Sequence, residues 1–215
     1  MRPRPTPAVK QSIIAAALCL FAVVFVDGPV ARFFAASPLF HHQQKYAVGT
    51  PWLLVPLILV IAFVVFADGK GRFKAARKIA IVATISAVGA FISNDAILKP
   101  LFGRTSINEY LFWPKHYGFY FFQGNWHSNF PSGHMALLVA GVAVLWGRLP
   151  RWRWLFGILI AIAGFVLLFG EWHFVSDLIA GALWGNLVAL AVVALSNKNP
   201  KRTVFRASDK EPKAS

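Results

Sequence analysis

Long apolar segments separated by short polar ones recur along the whole chain. Six such segments stand out, at about residues 12–27, 52–68, 79–98, 134–149, 153–170 and 174–196. An α-helix needs roughly 20 apolar residues to cross the hydrocarbon core of a bilayer, and the first and fourth segments are somewhat short of that length. The pattern therefore predicts an all-α, polytopic membrane protein, built as a bundle of six transmembrane helices.

The composition supports a membrane protein rather than a soluble domain. The 215 residues are 57% hydrophobic and 14% charged, with a mean hydropathy of +0.58, which is too apolar for an ordinary soluble domain. No internal repeat and no shift in composition marks a second domain. We therefore expect residues 1–215 to form one transmembrane domain, with residues 1–11 and 197–215 as flexible tails. The basic, apolar start lacks a small-residue cleavage site, which favours an uncleaved first helix.

The basic residues are unevenly distributed between the two predicted sides of the membrane. Seventeen of the 22 Lys and Arg lie in residues 2–10, 69–78, 148–153 and 198–213, which the six spans place on one side. The positive-inside rule makes that side cytoplasmic, so both termini are predicted to be cytoplasmic. The net charge of +14 is thus an orientation signal and a contact with the anionic bilayer surface, and we expect no nucleic-acid partner.

Polar motifs cluster on the opposite, charge-poor side. The ends of the last four predicted helices bring "NDAILKPLFGR", "NFPSGH" and "GEWHFVSD" to one rim, although they are far apart in sequence. His173 and Asp177 are four residues apart at a helix start, so the carboxylate can orient the imidazole. A pair of this spacing is also common as plain interfacial polarity. Asp177 lies about one turn inside an apolar helix, however, where ionisable residues are usually functional or paired.

The segment Pro131-Ser132-Gly133-His134 stands at the start of another apolar helix. Free backbone N–H groups make such a start an anion-binding site. A simple N-cap explains the serine and the proline but leaves His134 without a reason. Lys99 and Arg104 add two positive charges to the same rim. The set predicts phosphoryl transfer without a metal or other cofactor, because no H-E-x-x-H motif is present and carboxylates are few.

These residues resemble the motifs of the type 2 phosphatidic acid phosphatase (PAP2) family, which are K-x6-R-P, P-S-G-H and S-R-x5-H-x3-D. The second motif is complete at residues 131–134, the third keeps His173 and Asp177, and the first keeps Lys99. The resemblance implies that His173 is a nucleophile forming a phosphohistidine, with Asp177 orienting it and His134 as the general acid. It also implies that phosphate is bound by Lys99, Ser132 and Gly133.

Two family arginines are replaced in this sequence. Ser106 followed by Ile107 stands in place of the first motif's Arg-Pro, and Val166-Leu167 replaces the Ser-Arg of the third. Each charge-assisted phosphate contact contributes a few kcal/mol (~1.5–3 kcal/mol). We predict that Arg104 supplies one of the missing cations. Further candidates lie in the long loop: Lys115, His116 and His127.

The resemblance implies hydrolysis of a lipid phosphomonoester or diphosphate at the extracytoplasmic face of a bacterial-type inner membrane. Family members suggest phosphatidic acid, phosphatidylglycerol phosphate, undecaprenyl diphosphate or the phosphates of lipid A as substrates. The replaced arginines leave open a selective enzyme for an unusual lipid, or a catalytically impaired protein that binds lipid phosphate without turnover. A small transporter is disfavoured because the polar groups lie at one rim rather than at mid-membrane.

Two further features remain outside these motifs. The aromatic loop 105–130 is interpreted as an interfacial belt or, as a second hypothesis, as a lid over a lipid, with Tyr110, Trp113, Tyr117 and Trp126 against the ligand. His41 and His42 are interpreted as loop residues.

Overall fold

The computed structural model describes residues 7–36, 74–123 and 129–198. Within these ranges the chain is helical, without a β-strand, and an isolated bridge joins Arg104 to Phe119. The predicted all-α polytopic membrane fold is confirmed. The predicted span 52–68 lies outside the described residues, as do the last residues of the C-terminal tail, so the count of six stays a prediction.

The described helices follow the predicted segments but differ at their ends. They are α1 (Pro7–Phe21), α2 (Asp27–Ala36), α3 (Lys74–Ser93), α4 (Lys99–Phe102), α5 (Ile107–Phe112), α6 (Gly133–Arg148), α7 (Arg153–Phe169) and α8 (Val175–Lys198). A π-helical turn at Ala22–Val26 joins α1 to α2, and another at Asn94–Leu98 joins α3 to α4. In the part of the chain that the structure describes, four helical stretches are long and apolar enough to cross a membrane: Val9–Ala36, Ala76–Phe102, Pro150–Phe169 and Val175–Asn197.

Two helices are longer than the sequence pattern predicts. The first helix was expected to end near residue 27 and the third near Lys99, yet both continue through a proline, Pro29 and Pro100. A proline cannot donate to the carbonyl four residues earlier, and local π-helical turns let a membrane helix accommodate the freed groups. In both helices the π turn ends shortly before the proline.

Small residues bring α8 into close contact with α6. A Cβ at Gly181 would collide with the carbonyl oxygen of Ser132, and a Cβ at Gly185 would collide with that of Ala136. Between them, α3, α6 and α8 enclose a cluster built on Ala90, Ala136 and Ala140. Small residues are what allows membrane helices to approach backbone to backbone. This packing fixes the N-terminal end of α6 against the N-terminal half of α8.

Large apolar side chains cover the outer surface of the bundle. Ile13, Leu20, Ile158, Ile162 and Phe165 are each roughly half exposed or more. A soluble protein does not expose apolar surface on this scale, so these faces of α1 and α7 are the ones that contact lipid.

Candidate active site

His173 and Asp177 lie together where the loop after α7 enters α8. His173 is 7% exposed and Asp177 is fully buried. The Nδ1 atom of His173 is 3.5 Å from Oδ2 of Asp177, an ion-pair approach that is too long for a good hydrogen bond. The same Oδ2 accepts a hydrogen bond of 2.8 Å from the backbone N–H of Phe174. The carboxylate therefore faces the imidazole, as the spacing predicted.

The segment Pro131–His134, called here the PSGH turn, is held from two sides. The backbone N–H of Ser132 donates to the carbonyl of Asp177 at 3.0 Å, and the side-chain amide of Asn94 donates to the carbonyl of Pro131 at 3.0 Å. These bonds join α6 directly to α8 and to the π turn after α3. The second and third sequence motifs are thus parts of one structure.

Ser132 caps α6. Its hydroxyl accepts a hydrogen bond of 3.3 Å from the backbone N–H of Met135, and the residue is fully buried. The N–H groups of Gly133 and His134 fall in the first helical turn, where no intrahelical acceptor exists. The capping role of Ser132 is therefore visible, and these two backbone donors lie where the sequence predicts an anion-binding site.

His134 and His173 face each other across the mouth of this site. Their ring centroids are 6.2 Å apart with an interplanar angle of 62°. The Nδ1 atom of each ring is buried without a hydrogen-bond partner among the described residues.

Lys99 lies at the rim beside the PSGH turn, at the start of α4. Its ammonium is 2.7 Å from the carboxylate of Asp95, one turn earlier, and its side chain is 18% exposed. Because Asp95 is exposed, this pair contributes little stability.

Arg104 is placed differently from the sequence prediction. It is fully buried, and its Nη1 atom donates to Asp177 Oδ1 at 2.5 Å while Nη2 donates to Asp27 Oδ2 at 2.7 Å. Nη1 also donates to the hydroxyl of Ser176, and Nη2 to that of Tyr117. Both terminal nitrogens are occupied by protein groups. The prediction that Arg104 binds phosphate is therefore wrong in this arrangement, because the guanidinium lies behind Asp177 and holds that carboxylate instead.

Aromatic rings surround the Arg104 guanidinium. Its Cζ atom is 4.3 Å from the ring centroid of Phe174 and 5.0 Å from that of Phe119. Burial lowers the pKa of Arg104, but the adjacent carboxylates of Asp177 and Asp27 more than offset this, and the net effect raises the pKa above its ordinary value. Arg104 is a permanent buried cation.

Asp27 is a site residue that the motif analysis missed. It begins α2, it is 1% exposed, and its two oxygens accept three hydrogen bonds, from Arg104 and from the backbone and hydroxyl of Ser176. The available signal was its position within an apolar span, "VVFVDGPV", where a carboxylate requires a partner.

The two positions that lack the family arginines have structural roles. Ser106 caps α5, accepting a hydrogen bond of 3.1 Å from the backbone N–H of Glu109. Leu167 is 1% exposed and packs with Met135 and Leu178. Lys115 is exposed, the side chain of His116 lies outside what is described, and His127 lies outside the described residues altogether.

The aromatic loop divides into buried and exposed parts. Tyr110 and Tyr117 pack on Phe174, and their hydroxyls bind Arg32 at 2.5 Å and Arg104 at 2.7 Å. These two tyrosines therefore belong to the core, and the prediction that they cover a lipid is wrong. Trp113 is 65% exposed, as an interfacial belt requires, and Trp126 lies outside the described residues, as do His41 and His42.

A small cavity borders His173. Its lining combines apolar side chains of α2 and of the end of α7 with His173 and with the carboxylates of Asp27 and Glu171. Among the described residues, no group of three or more His, Cys, Asp or Glu is arranged to hold a metal ion.

Two histidines, an open helix N-terminus and a lysine thus lie at one end of a helical membrane bundle, the arrangement that the PAP2 resemblance predicts. The sequence matches the PAP2 superfamily over residues 78–201. This is more than half of the chain, and the protein belongs to that superfamily. A protein from Sulfolobus acidocaldarius named undecaprenyl-diphosphatase is 26% identical over 166 residues, which cover 75% of this chain and 71% of the relative. No solved structure matches the chain.

Proposed function

We propose that this lipid phosphatase hydrolyses a lipid diphosphate or phosphomonoester through a phosphohistidine on His173. The observation that carries the proposal is the pair of facing imidazoles, His134 and His173, beside the free N–H groups that begin α6. A protein that only bound phosphate would need the donors and the lysine but not two opposed rings.

In the first half-reaction, Nε2 of His173 attacks the phosphorus and the bond to the leaving oxygen breaks. His134, protonated, donates its proton to that oxygen, while Asp177 stabilises the positive charge that develops on the His173 ring. The first-turn N–H groups of α6 and the ammonium of Lys99 bind the non-bridging oxygens. In the second half-reaction, His134 takes a proton from water, which attacks the phosphohistidine and releases inorganic phosphate.

A polyprenyl diphosphate is the first substrate candidate. The name of the Sulfolobus relative supports it. Phosphatidic acid, phosphatidylglycerol phosphate and the phosphates of lipid A are the further candidates. The distribution of Lys and Arg supports a site at the extracytoplasmic face, with cytoplasmic termini, in a bacterial-type inner membrane.

A second candidate function is binding of a lipid phosphate without turnover. It is favoured by the replaced arginines, since Ser106 and Leu167 have structural roles and Arg104 is bound by two carboxylates. Within the described residues, Lys99 is then the cation that remains at the site.

The two functions differ in phosphate release. Purified protein in detergent micelles would be given each lipid phosphate in the presence of EDTA, beside His173→Gln and, as a matched control, His42→Gln. We expect the wild type and the control to release phosphate and the His173 variant to lose at least about 10³-fold in kcat. The wild type, given a diphosphate with ³²P in its terminal phosphate and quenched within one turnover, is expected to carry acid-labile label on the protein, and His173→Gln is expected to carry none. Thermal stabilisation by phosphate without release from any lipid would establish the binder instead.

A further inference from the structure

Asp27 comes from a part of the chain that precedes the family match. The PAP2 superfamily match begins at residue 78, and α2, which Asp27 begins, belongs to the first membrane span, Val9–Ala36. A carboxylate at a buried position of such a span is costly unless it is paired, and it is usually functional. Asp27 therefore requires an explanation beyond the family motifs.

The contacts of Asp27 lead through Arg104 to the carboxylate that faces His173. Asp27 Oδ2 is 2.7 Å from Nη2 of Arg104, and Nη1 of the same guanidinium is 2.5 Å from Asp177 Oδ1. All three side chains are fully buried or nearly so. Asp177 then reaches the imidazole with its other oxygen, at 3.5 Å. The chain Asp27–Arg104–Asp177–His173 is continuous.

The net charge of Asp27, Arg104 and Asp177 determines the field that they exert on His173. Arg104 alone would neutralise Asp177, so that the pair would offer His173 no net negative charge. With Asp27 on the other side of the guanidinium, the three groups carry a net charge of −1. His173 becomes positively charged when it attacks phosphorus, and a net negative neighbour stabilises that state in a buried site.

We propose that Asp27 is a positioning residue for phosphoryl transfer: it shares Arg104 with Asp177, and so keeps Asp177 oriented and its negative charge effective on His173. This rests on the phosphatase function proposed above. Asp27 contacts Arg104 and Ser176 and makes no contact with His173, so it acts through Arg104.

Other charged and titratable groups also face His173, and they must stay constant in a test. They are Asp177 of α8, His134 of α6 and Glu171 of the preceding loop, with Lys99 of α4 near His134. All four residues keep their identity in every variant, and any titration of the substrate phosphate is common to all variants.

The test measures kcat/KM against pH in four proteins whose network charge differs. The net charge is −1 in the wild type, 0 in Asp27→Asn, −2 in Arg104→Gln and −1 again in the double variant. Activity falls on the acid side of this pH profile when His173 is protonated, because only the neutral ring can attack phosphorus. We expect the midpoint on the acid side to fall by on the order of one pH unit in Asp27→Asn, to rise in Arg104→Gln and to return to the wild-type value in the double variant.

The kinetic constants give a second readout. Asp27→Asn should lower kcat roughly tenfold or more and change KM by less than about threefold, because the phosphate-binding groups are intact. Asp27→Glu, which keeps the charge, should keep the wild-type midpoint, and Asp209→Asn is the control for loss of a carboxylate elsewhere. Thermal unfolding is measured for every variant. If Asp27→Asn does not fold, Arg104→Gln and the double variant still test the order of midpoints.

Midpoints that stay fixed, or that move in the same direction in both single variants, would overturn the proposal and leave Asp27 a purely structural residue. Failure of the phosphatase function itself is recognised separately, by the absence of phosphate release in the wild type. In that case the His173 ring is titrated by NMR with ¹³C-labelled histidine, its signal identified by its loss in His173→Gln. The midpoints of this NMR titration are expected to follow the same order among the four proteins.

Discussion

The close contact between α8 and the PSGH turn depends on Gly181, and this can be tested with a single methyl group. A Cβ at position 181 would lie 3.2 Å from both the Cβ of Met135 and the carbonyl carbon of Ser132, and it would overlap the Ser132 oxygen. That oxygen accepts the first backbone hydrogen bond of α6, from Ala136. In Gly181→Ala, the PSGH turn must therefore move away from α8 by on the order of 1 Å.

The expected consequences are larger for activity than for stability. Overpacking of this kind costs about 1–3 kcal/mol of unfolding free energy, whereas a displacement of about 1 Å between catalytic groups costs about 10²-fold in rate. The displacement separates His134, on α6, from His173, which is joined to α8. We therefore expect kcat to fall by roughly 10²-fold while the protein remains folded.

The assay is phosphate release in micelles together with a thermal melt of the same preparation. Gly157→Ala is the matched control, because Gly157 lies within α7 and a Cβ there meets no atom within 4 Å. It should preserve activity and match or slightly exceed wild-type stability. A Gly181→Ala protein with the kcat of the wild type would refute the close approach of the two helices.

Two further substitutions test neighbouring parts of the site. Leu167→Arg restores the residue type that the family motif has. It is nevertheless expected to unfold the protein or to lower its melting temperature sharply, because Leu167 is 1% exposed between Met135 and Leu178. A stable, more active variant in the same assay would contradict this expectation. Asn94→Ala removes the donor to the Pro131 carbonyl. The substitution should lower the free energy of unfolding by about 1–3 kcal/mol and lower kcat more than it raises KM. An unchanged kcat would show that the PSGH turn does not need this hydrogen bond.

Sequence patterns predicted the helical membrane fold and the contact between the PSGH turn and the segment that carries His173 and Asp177. The spacing of His173 and Asp177 is local, and the topology of the apolar segments brought the PSGH turn to the same rim. Helix ends were less predictable, because Pro29 and Pro100 are helix-terminating signals in isolation. A π turn precedes each proline in the structure, and the hydrophobic pattern carries no signal for it.

The role of Arg104 could not be obtained from the sequence for a different reason. An arginine near a phosphate site predicts a phosphate contact unless a buried carboxylate competes for it. The competitor, Asp27, is 77 residues away and comes from a helix that no motif connected to the site. Similarly, the aromatic loop predicts that Tyr117 faces lipid, whereas in the structure its hydroxyl accepts a hydrogen bond from Arg104. Long-range pairing of buried polar groups decides both cases.

The π turn at Ala22–Val26 sets the rotational phase of the first membrane helix. Each residue of an α-helix turns the chain by about 100°, and a π turn contains one residue more than an α turn. Deleting one residue of this turn would leave two regular helices in sequence, but would rotate α1 by about that angle relative to α2. Cys19, which points its thiol at the Ser176 carbonyl from α1, and Asp27, which binds Ser176 from α2, would then not both face α8. The extra residue therefore lets both halves of the first membrane helix face α8, α1 with the thiol of Cys19 and α2 with the carboxylate of Asp27.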